Sequence, residues 1–213
     1  MQDASGPAGE RYVALGDSYT IGEGAGPSRA WPNLLTAHLR REGVAIDLVA
    51  NPSVTGWTTS QLIEHELPVF EASQPTFATV LIGVNDWVQG VTNADFRSRL
   101  ATIIDRVQAT LPDRRKLLLV TIPDFSVTPE GSRYGRSRNI AQGISAFNDI
   151  VMEEVDRRSL PVVDIFPLSQ GLVDAGFVSS DNLHPSASAY ARWEELIFPA
   201  ALSLLGGSRH RAG

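Results

Sequence analysis

Short runs of apolar residues alternate along the chain with longer segments in which apolar residues recur at helical spacing. Each short run is nearly continuous in apolar residues, which is typical of strands buried on both faces of a parallel sheet. Five runs are predicted as strands, over residues 12–15, 46–50, 78–83, 117–122 and 162–165. The alternation indicates an α/β fold in which crossover helices connect parallel strands.

The clearest helical stripe lies between the third and fourth predicted strands. Its apolar residues are three or four positions apart, as on one face of a helix: Phe96, Leu100, Ile103, Ile104, Val107 and Leu111. Weaker stripes of the same kind follow the first and fourth strands, and another follows His184 and Pro185. Helices are therefore predicted between the strands and at the end of the sheet.

No linker, internal repeat or low-complexity stretch divides the pattern into two parts. We predict one domain over residues 11–205, with a flexible leader at 1–10 and a frayed tail at 206–213. The longest irregular stretch, residues 123–138, contains two prolines and two glycines. Loops of that length are usually functional or mobile.

Composition excludes several classes of protein. The 18 Lys and Arg are outnumbered by 24 Asp and Glu, giving a formal net charge of −6 at pH 7, which argues against a nucleic-acid-binding protein. The absence of Cys excludes disulfides, thiolate metal sites and a cysteine nucleophile. The four His are scattered, and no H-E-x-x-H motif is present, so neither a catalytic metal nor another cofactor is expected.

No apolar run approaches the roughly 20 residues that span a bilayer, so no integral membrane association is expected. The first residues lack the basic and apolar regions of a secretory signal. We therefore expect a cytoplasmic protein. A secreted protein whose signal has been removed would have the same sequence features, and the oligomeric state is not predicted.

Polar residues gather just after the predicted strands, where open α/β sheets bind their ligands. These segments are Gly16-Asp17-Ser18 after the first strand, Gly56 after the second, Gly83-Val84-Asn85-Asp86 after the third, and Asp181-Asn182-Leu183-His184-Pro185 before the last helix. Of the four His, only His184 follows a carboxylate by three residues in a loop at the start of a helix. With that spacing, Asp181 can accept a hydrogen bond from one imidazole nitrogen while the other faces a serine such as Ser18.

Acyl transfer also needs hydrogen-bond donors directed at the oxygen that becomes negatively charged. Glycine after a strand lets a backbone N–H approach a substrate closely, and an Asn side chain supplies an amide donor. Gly56 and Asn85 fit these two roles. Together with the backbone N–H of Ser18 they would form an oxyanion hole of three donors.

These four segments resemble, in order, the conserved blocks of the GDSL, or SGNH, hydrolases. The resemblance implies a three-layer α/β/α fold of flavodoxin-like type. It also implies Ser18 as nucleophile, His184 as base, Asp181 as the residue that orients it, and Gly56 and Asn85 in the oxyanion hole. Tyr19 stands where the family usually has Leu. Because Thr20 replaces the second glycine of G-x-S-x-G, the ordinary α/β-hydrolase motif is not present.

The function predicted from these features is hydrolysis of small to medium acyl esters or thioesters by a serine enzyme through an acyl-enzyme intermediate. Tyr19, Trp57 and Trp87 are the candidate substrate-binding residues, with core packing as the alternative for the two tryptophans. Esterase, thioesterase, lysophospholipase, arylesterase and carbohydrate deacetylase activities all remain open.

Other readings of the sequence are retained. Three arginines of the 123–138 segment could bind an anionic group: Arg133, Arg136 and Arg138. A different class of function is a flavodoxin-like module that binds an anion near Gly22, Gly24 and Gly26. A catalytically silent member of the fold that binds other proteins is the third alternative. Asp17 and Asp86 are expected to hold loops by hydrogen bonds to the backbone.

Overall fold

Five parallel strands form one sheet in the order β2-β1-β3-β4-β5 in the computed structural model, which describes residues 9–172 and 176–206. The strands are β1 (Glu10–Gly16), β2 (Ile46–Ala50), β3 (Phe77–Leu81), β4 (Leu117–Val120) and β5 (Val162–Val163). Parallel neighbours require crossover connections, and helices occupy each of them. The predicted α/β fold with a five-stranded parallel sheet is confirmed.

The strand order sets where the site can form. The chain passes from β1 to β2 on one side of β1 and then returns to β3 on the other side. At the carboxyl ends, Gly16 of β1 pairs with Leu81 of β3. The direction of winding therefore changes between these two strand ends, which is the position where doubly wound sheets form a crevice.

Helices cover both faces of the sheet. The pair α2 and α10 packs together on one face, and α4, α6 and α8 pack in sequence on the other. The helices are α1 (Ser18–Ile21), α2 (Trp31–Arg41), α3 (Thr59–Gln61), α4 (Leu67–Ala72), α5 (Val84–Gln89), α6 (Asn93–Thr110), α7 (Ser132–Gly135), α8 (Ile140–Arg158), α9 (Phe166–Gly171) and α10 (Ala187–Gly206).

Three strands end earlier than the apolar runs predict. β3 ends at Leu81, β4 at Val120 and β5 at Val163, yet Ile82, Ile122 and Ile165 beyond them are all buried. These residues are apolar because helices cover them, and the strand ladder has already ended. In a single sequence, residues that are only buried and residues that pair in a strand give the same run of apolar positions, so the end of a strand is not visible.

The segment at 123–138 is more regular than predicted. It contains a 3₁₀ turn at Phe125–Val127 and the short helix α7. A π-helical turn, Leu62–Glu66, joins α3 to α4. Glu10, which was assigned to the leader, is the first residue of β1, and its carboxylate pairs with the Lys116 ammonium. Residues 1–8 of the predicted leader and residues 207–213 of the predicted tail lie outside the described residues.

Within the part of the chain that the structure describes, no helix is both long and apolar enough to cross a membrane.

Candidate active site

Ser18 follows the turn at the end of β1 and is the first residue of α1. A Cβ on Gly16 would lie 2.2 Å from Oγ1 of Thr20 and 2.3 Å from the carbonyl oxygen of Leu81, so glycine is needed there. Oδ1 of Asp17 accepts a hydrogen bond from the backbone N–H of Tyr19 at 3.0 Å and caps the helix. The first backbone N–H groups of a helix have no acceptor within it and can bind a substrate oxygen.

His184 and Asp181 form a hydrogen-bonded pair in the loop before α10, with Nδ1 of His184 2.7 Å from Oδ2 of Asp181. Oδ1 of Asp181 accepts from Oγ of Ser179 at 2.6 Å and from the backbone N–H groups of Leu183 and His184. Partial burial acts to raise the pKa of Asp181, but these hydrogen bonds hold that pKa well below its usual range. The carboxylate is therefore charged and favours the tautomer of His184 that carries its hydrogen on Nδ1.

Contacts between distant parts of the chain bring the Ser18 turn and the His184 loop together. The rings of Tyr19 and His184 meet edge to face with centroids 6.1 Å apart. The hydroxyl of Tyr190, in the first turns of α10, lies 3.0 Å from the carbonyl oxygen of Glu23 and 3.5 Å from that of Ser18. Ser18 and His184 therefore lie on segments that are in contact with each other.

The Gly56 loop and Asn85 are also adjacent. Nδ2 of Asn85, near the start of α5, donates to the carbonyl oxygen of Trp57 at 2.9 Å. Gly56 has φ of +87°, a conformation that favours glycine. Oγ1 of Thr55 donates to Oε2 of Glu23 at 2.7 Å and connects this loop to the segment after β1. This bond engages one hydrogen of the Asn85 amide and fixes the side chain beside the Gly56 loop.

Two fully buried carboxyl groups, those of Asp17 and Glu66, lie at the Ser18 turn. Oε2 of Glu66 accepts from the backbone N–H of Gly16 at 2.9 Å. Burial raises the pKa of Asp17 to about 8, with a further contribution from the charge of Asp86. Burial also raises the pKa of Glu66 to about 8, and the charge of Asp17 adds to it. Near neutral pH both groups favour the protonated form.

Asp86 fixes the segment that carries Asn85. It accepts hydrogen bonds from the backbone N–H of Thr59 at 2.8 Å and from the Thr59 hydroxyl, and it lies 3.6 Å from Nη1 of Arg99. Burial raises the pKa of Asp86, and the Thr59 hydrogen bonds and the Arg99 charge oppose that effect. Asp17 and Asp86 both bind backbone N–H groups, as the sequence predicts.

The three candidate substrate-binding residues occupy different environments. Trp57 is half-buried, and its ring contacts that of His65 at a centroid distance of 5.2 Å. Trp87 is only 6% exposed, with its ring between Phe125 and the guanidinium of Arg138. Tyr19 is buried and lines a cavity beside His184.

The arginines of the 123–138 segment differ in their partners. Arg133 forms an ion pair with Glu130. Arg138 lies 4.0 Å from the centre of the Trp87 ring and donates to the carbonyl oxygens of Trp87 and Val88 at 2.7 and 3.0 Å. Its guanidinium therefore caps the C-terminal end of α5.

The glycine-rich segment after α1 serves as packing surface. A Cβ on Gly22 would lie 2.5 Å from Cβ of Ala30, and one on Gly24 would lie 2.7 Å from Cβ of Ser179. This close approach places the segment against the His184 loop. Glu23 lies in the same segment, and its carboxylate accepts a hydrogen bond from Thr55. The negative charge of this carboxylate disfavours the binding of an anion there.

Glu66 and Ser179 are not among the residues that the sequence predicts for the site. Glu66 lies four residues after Leu62 and four before Phe70, both fully buried, so helical spacing places it on the apolar face. That spacing is a signal for a buried carboxyl group. For Ser179, no local pattern indicates its hydrogen bond to Asp181.

Comparison with known proteins identifies the family of the chain. The model of the GDSL-like lipase/acylhydrolase family matches residues 14–192. Esterase TesA of Pseudomonas aeruginosa is 25% identical over 201 residues, which cover 93% of this chain and 90% of that protein. Thioesterase 1/protease 1/lysophospholipase L1 of Escherichia coli K12 is 25% identical over 182 residues, covering 85% of this chain and 78% of that protein.

A lipase/acylhydrolase from Enterococcus faecalis has a similar solved structure. It superposes with a TM-score of 0.74 at 24% identity, over 92% of this chain and 97% of that one. The family match spans the segments that carry Ser18, Gly56, Asn85, Asp181 and His184. The chain belongs to the GDSL-like lipase/acylhydrolase family and is a carboxylic ester hydrolase.

Proposed function

We propose that this hydrolase cleaves small to medium acyl esters through an acyl-enzyme on Ser18, with His184 as general base and Asp181 as its orienting partner. The observation that carries the proposal is the 2.7 Å contact between Nδ1 of His184 and Oδ2 of Asp181. It occurs in a loop that packs against the serine turn through Tyr19. A serine hydroxyl becomes an effective nucleophile only when such a base accepts its proton.

In the first step, Oγ of Ser18 attacks the ester carbonyl carbon while Nε2 of His184 accepts the hydroxyl proton. The imidazolium that forms is stabilised by Asp181, which remains ionised because its hydrogen bonds hold its pKa low. His184 then gives the proton to the leaving oxygen as the carbon–oxygen bond breaks. The alcohol departs, and the acyl group stays on Ser18.

The negative oxygen of the tetrahedral intermediate is assigned to three donors. They are the backbone N–H groups of Ser18 and Gly56 and the side-chain amide of Asn85. Support comes from the bond between Nδ2 of Asn85 and the carbonyl oxygen of Trp57, which holds the amide beside the Gly56 loop before substrate arrives. Donors fixed in advance need no reorganisation when the charge develops.

In the second step, water replaces the alcohol. His184 takes a proton from the water as it attacks the acyl carbon, and returns it to Oγ of Ser18 when the acyl-enzyme breaks down. The products are a carboxylic acid and free enzyme. Because the relatives are named esterase and thioesterase, a substrate panel should contain both oxygen and thiol esters.

The proposal is tested with a fluorophosphonate probe, intact-mass spectrometry and peptide mapping. We expect one adduct per chain on Ser18, no adduct in Ser18→Ala, and a strongly reduced labelling rate in His184→Ala. Ser98→Ala, which changes an exposed serine of α6, is the matched control and should label like the wild-type protein.

Steady-state kinetics give a second test. Ser18→Ala and His184→Ala should each lower kcat by about 10⁴-fold or more, and the double variant should be little worse than either, because the residues act as one unit. Labelling at another residue, or Ser18→Ala with full activity, would rule out the proposed mechanism.

A further inference from the structure

A small cavity beside His184 opens to solvent, and the empty space in it, including the open solvent at its mouth, is about 360 Å³. We call it the His184-side cavity. Besides His184, its lining is mostly apolar and includes Tyr19, Phe125, Val127, Leu172, Phe177 and Trp193. The residues assigned to the oxyanion hole do not belong to this lining. The cavity therefore adjoins His184 and is not lined by Ser18, Gly56 or Asn85.

Two polar side chains of its wall, Asp124 and Ser169, are engaged in hydrogen bonds, and Nε1 of Trp193, which has no partner among the described residues, is itself buried. Oδ1 of Asp124 accepts from the backbone N–H of Ser126, and Oδ2 accepts from Nε2 of Gln170, each at 2.9 Å. Oγ of Ser169 donates to the carbonyl oxygen of Phe166 at 2.6 Å and accepts from the backbone N–H of Asp124 at 2.7 Å. A polar occupant would find Asp124 and Ser169 already engaged, and most of the remaining lining is apolar, so the cavity suits an apolar occupant.

The chemistry of ester cleavage decides which part of a substrate adjoins His184. In the tetrahedral intermediate one oxygen faces the oxyanion hole, and the leaving oxygen must come within hydrogen-bond reach of Nε2 of His184 to receive its proton. The carbon chain attached to the leaving oxygen therefore begins at the imidazole. A cavity lined by His184 and not by the hole residues matches this chain.

We propose that the His184-side cavity is the subsite for the alcohol part of the substrate and that it selects esters of apolar alcohols. This inference rests on the proposed function. It adds a preference for the alcohol group of the ester, which Ser18, His184 and Asp181 do not determine. Tyr19 links the subsite to the catalytic groups, because its ring meets both His184 and Trp193, with centroids 6.1 and 5.7 Å apart.

The test uses two ester series and one filling variant. The alcohol series contains acetates of methanol, butan-1-ol and benzyl alcohol; the acyl series contains methyl esters from acetate to octanoate. We compare kcat/KM, because this constant reports the steps up to release of the alcohol, whereas hydrolysis of the acetyl-enzyme is common to all acetates. Burial of three methylenes predicts that the wild-type protein favours butyl over methyl acetate by at least about tenfold.

Val127→Trp should fill the cavity from the half-buried 3₁₀ turn. We expect its preference for butyl over methyl acetate to fall to within about twofold, while the order within the acyl series is retained. Val69→Trp, an exposed site on α4, is the matched control and should keep both preferences. Val127→Ala, which enlarges the cavity, should retain or extend the preference for large alcohols.

A second readout uses the reverse of alcohol release. Butan-1-ol bound in the subsite should attack the acetyl-enzyme, giving butyl acetate and returning the serine proton through His184. The ratio of butyl acetate to acetate should fall at least about fivefold in Val127→Trp and not in Val69→Trp. This readout concerns only the alcohol and does not involve an acyl preference.

Three outcomes contradict the inference. If Val127→Trp flattens the acyl series and keeps the alcohol preference, the cavity holds the acyl chain. If neither series changes while Ser18 still reacts with the fluorophosphonate, the cavity is not a substrate site, and the proposed function stands. If the wild-type protein neither labels at Ser18 nor hydrolyses any ester, the proposed function fails and this assignment fails with it.

Discussion

Nδ1 of His184 and Oδ2 of Asp181 are 2.7 Å apart, and the remaining oxygen of Asp181 accepts three further hydrogen bonds. Both oxygens of the Asp181 carboxylate are therefore fixed by hydrogen bonds, and the imidazole of His184 has one favoured orientation. We expect Asp181→Asn to lower kcat by about 10⁴-fold, because the amide does not select the tautomer with a free Nε2.

Asp47→Asn is the matched control for that change. Asp47 is an exposed carboxylate of β2 that pairs with Arg40. Its variant should retain wild-type kcat in the same ester assay. If Asp181→Asn keeps more than a tenth of wild-type kcat, Asp181 does not orient the base.

The second prediction concerns Asn85. Asn85→Ala should lower kcat by about 10²-fold to 10³-fold with little change in KM, as expected when one oxyanion donor is lost. Steady-state kinetics on a single ester are sufficient. Asn93→Ala, an exposed position at the start of α6, should leave both constants unchanged. A rise in KM at constant kcat would instead assign Asn85 to ground-state binding.

The third prediction concerns the pH dependence of stability. Asp17 and Glu66 have ordinary pKa values of 3.8 and 4.5, and burial raises both to about 8 in the folded protein. The folded state therefore keeps protons that the unfolded chain has released. The stability that these two groups support is complete at low pH and is lost as the pH rises toward about 8, by at most ~1.4 kcal/mol per pH unit for one group.

Glu66→Gln isolates this contribution, because the amide oxygen can still accept the hydrogen bond from Gly16 and the side chain no longer ionises. We expect the free energy of unfolding in urea to fall less between pH 5 and pH 8 in this variant than in the wild-type protein. Glu64→Gln, at an exposed position two residues earlier, serves as control. An identical pH dependence in Glu66→Gln and wild type would show that Glu66 ionises normally in the folded state.

The fourth prediction contrasts two glycines of the site. A Cβ on Gly56 meets nothing within 4 Å, so Gly56→Ala bears only the cost of its positive φ, about 1–2 kcal/mol. A Cβ on Gly16 would overlap Thr20 and the backbone of Leu81, so Gly16→Ala should cost at least about 3 kcal/mol. Chemical denaturation measures both, and equal losses would contradict the packing argument.

The sheet and the segments that bear the site could be predicted because their signals are local. A buried parallel strand is apolar throughout, and the polar residues that follow it mark its carboxyl end. Asp181 and His184 are three positions apart, so their pairing also follows from the sequence. The predicted positions of the strand ends are less accurate, because residues such as Ile122 are buried without pairing in the sheet.

Other features depend on contacts between distant residues and give no local signal. The spacing of Glu66 with Leu62 and Phe70 indicates burial, but nothing nearby shows that its partner is the backbone of Gly16. The same is true of the bond from Tyr190 to Glu23 and of the cavity beside His184, which forms where several segments that are distant in the chain meet. These features follow from tertiary packing and could not be predicted from any one segment.

The contact between Tyr190 and the Ser18 turn joins residues that are 172 positions apart in the chain. During synthesis the ribosome releases the serine turn and the first four strands well before the segment that carries Asp181, His184 and Tyr190. The growing chain can pair β1 with β2 and β3 in that interval. In the proposed mechanism Ser18 has no base until the segment that carries His184 folds against the serine turn, so we expect reactivity toward esters to arise as one of the last events in the maturation of the molecule.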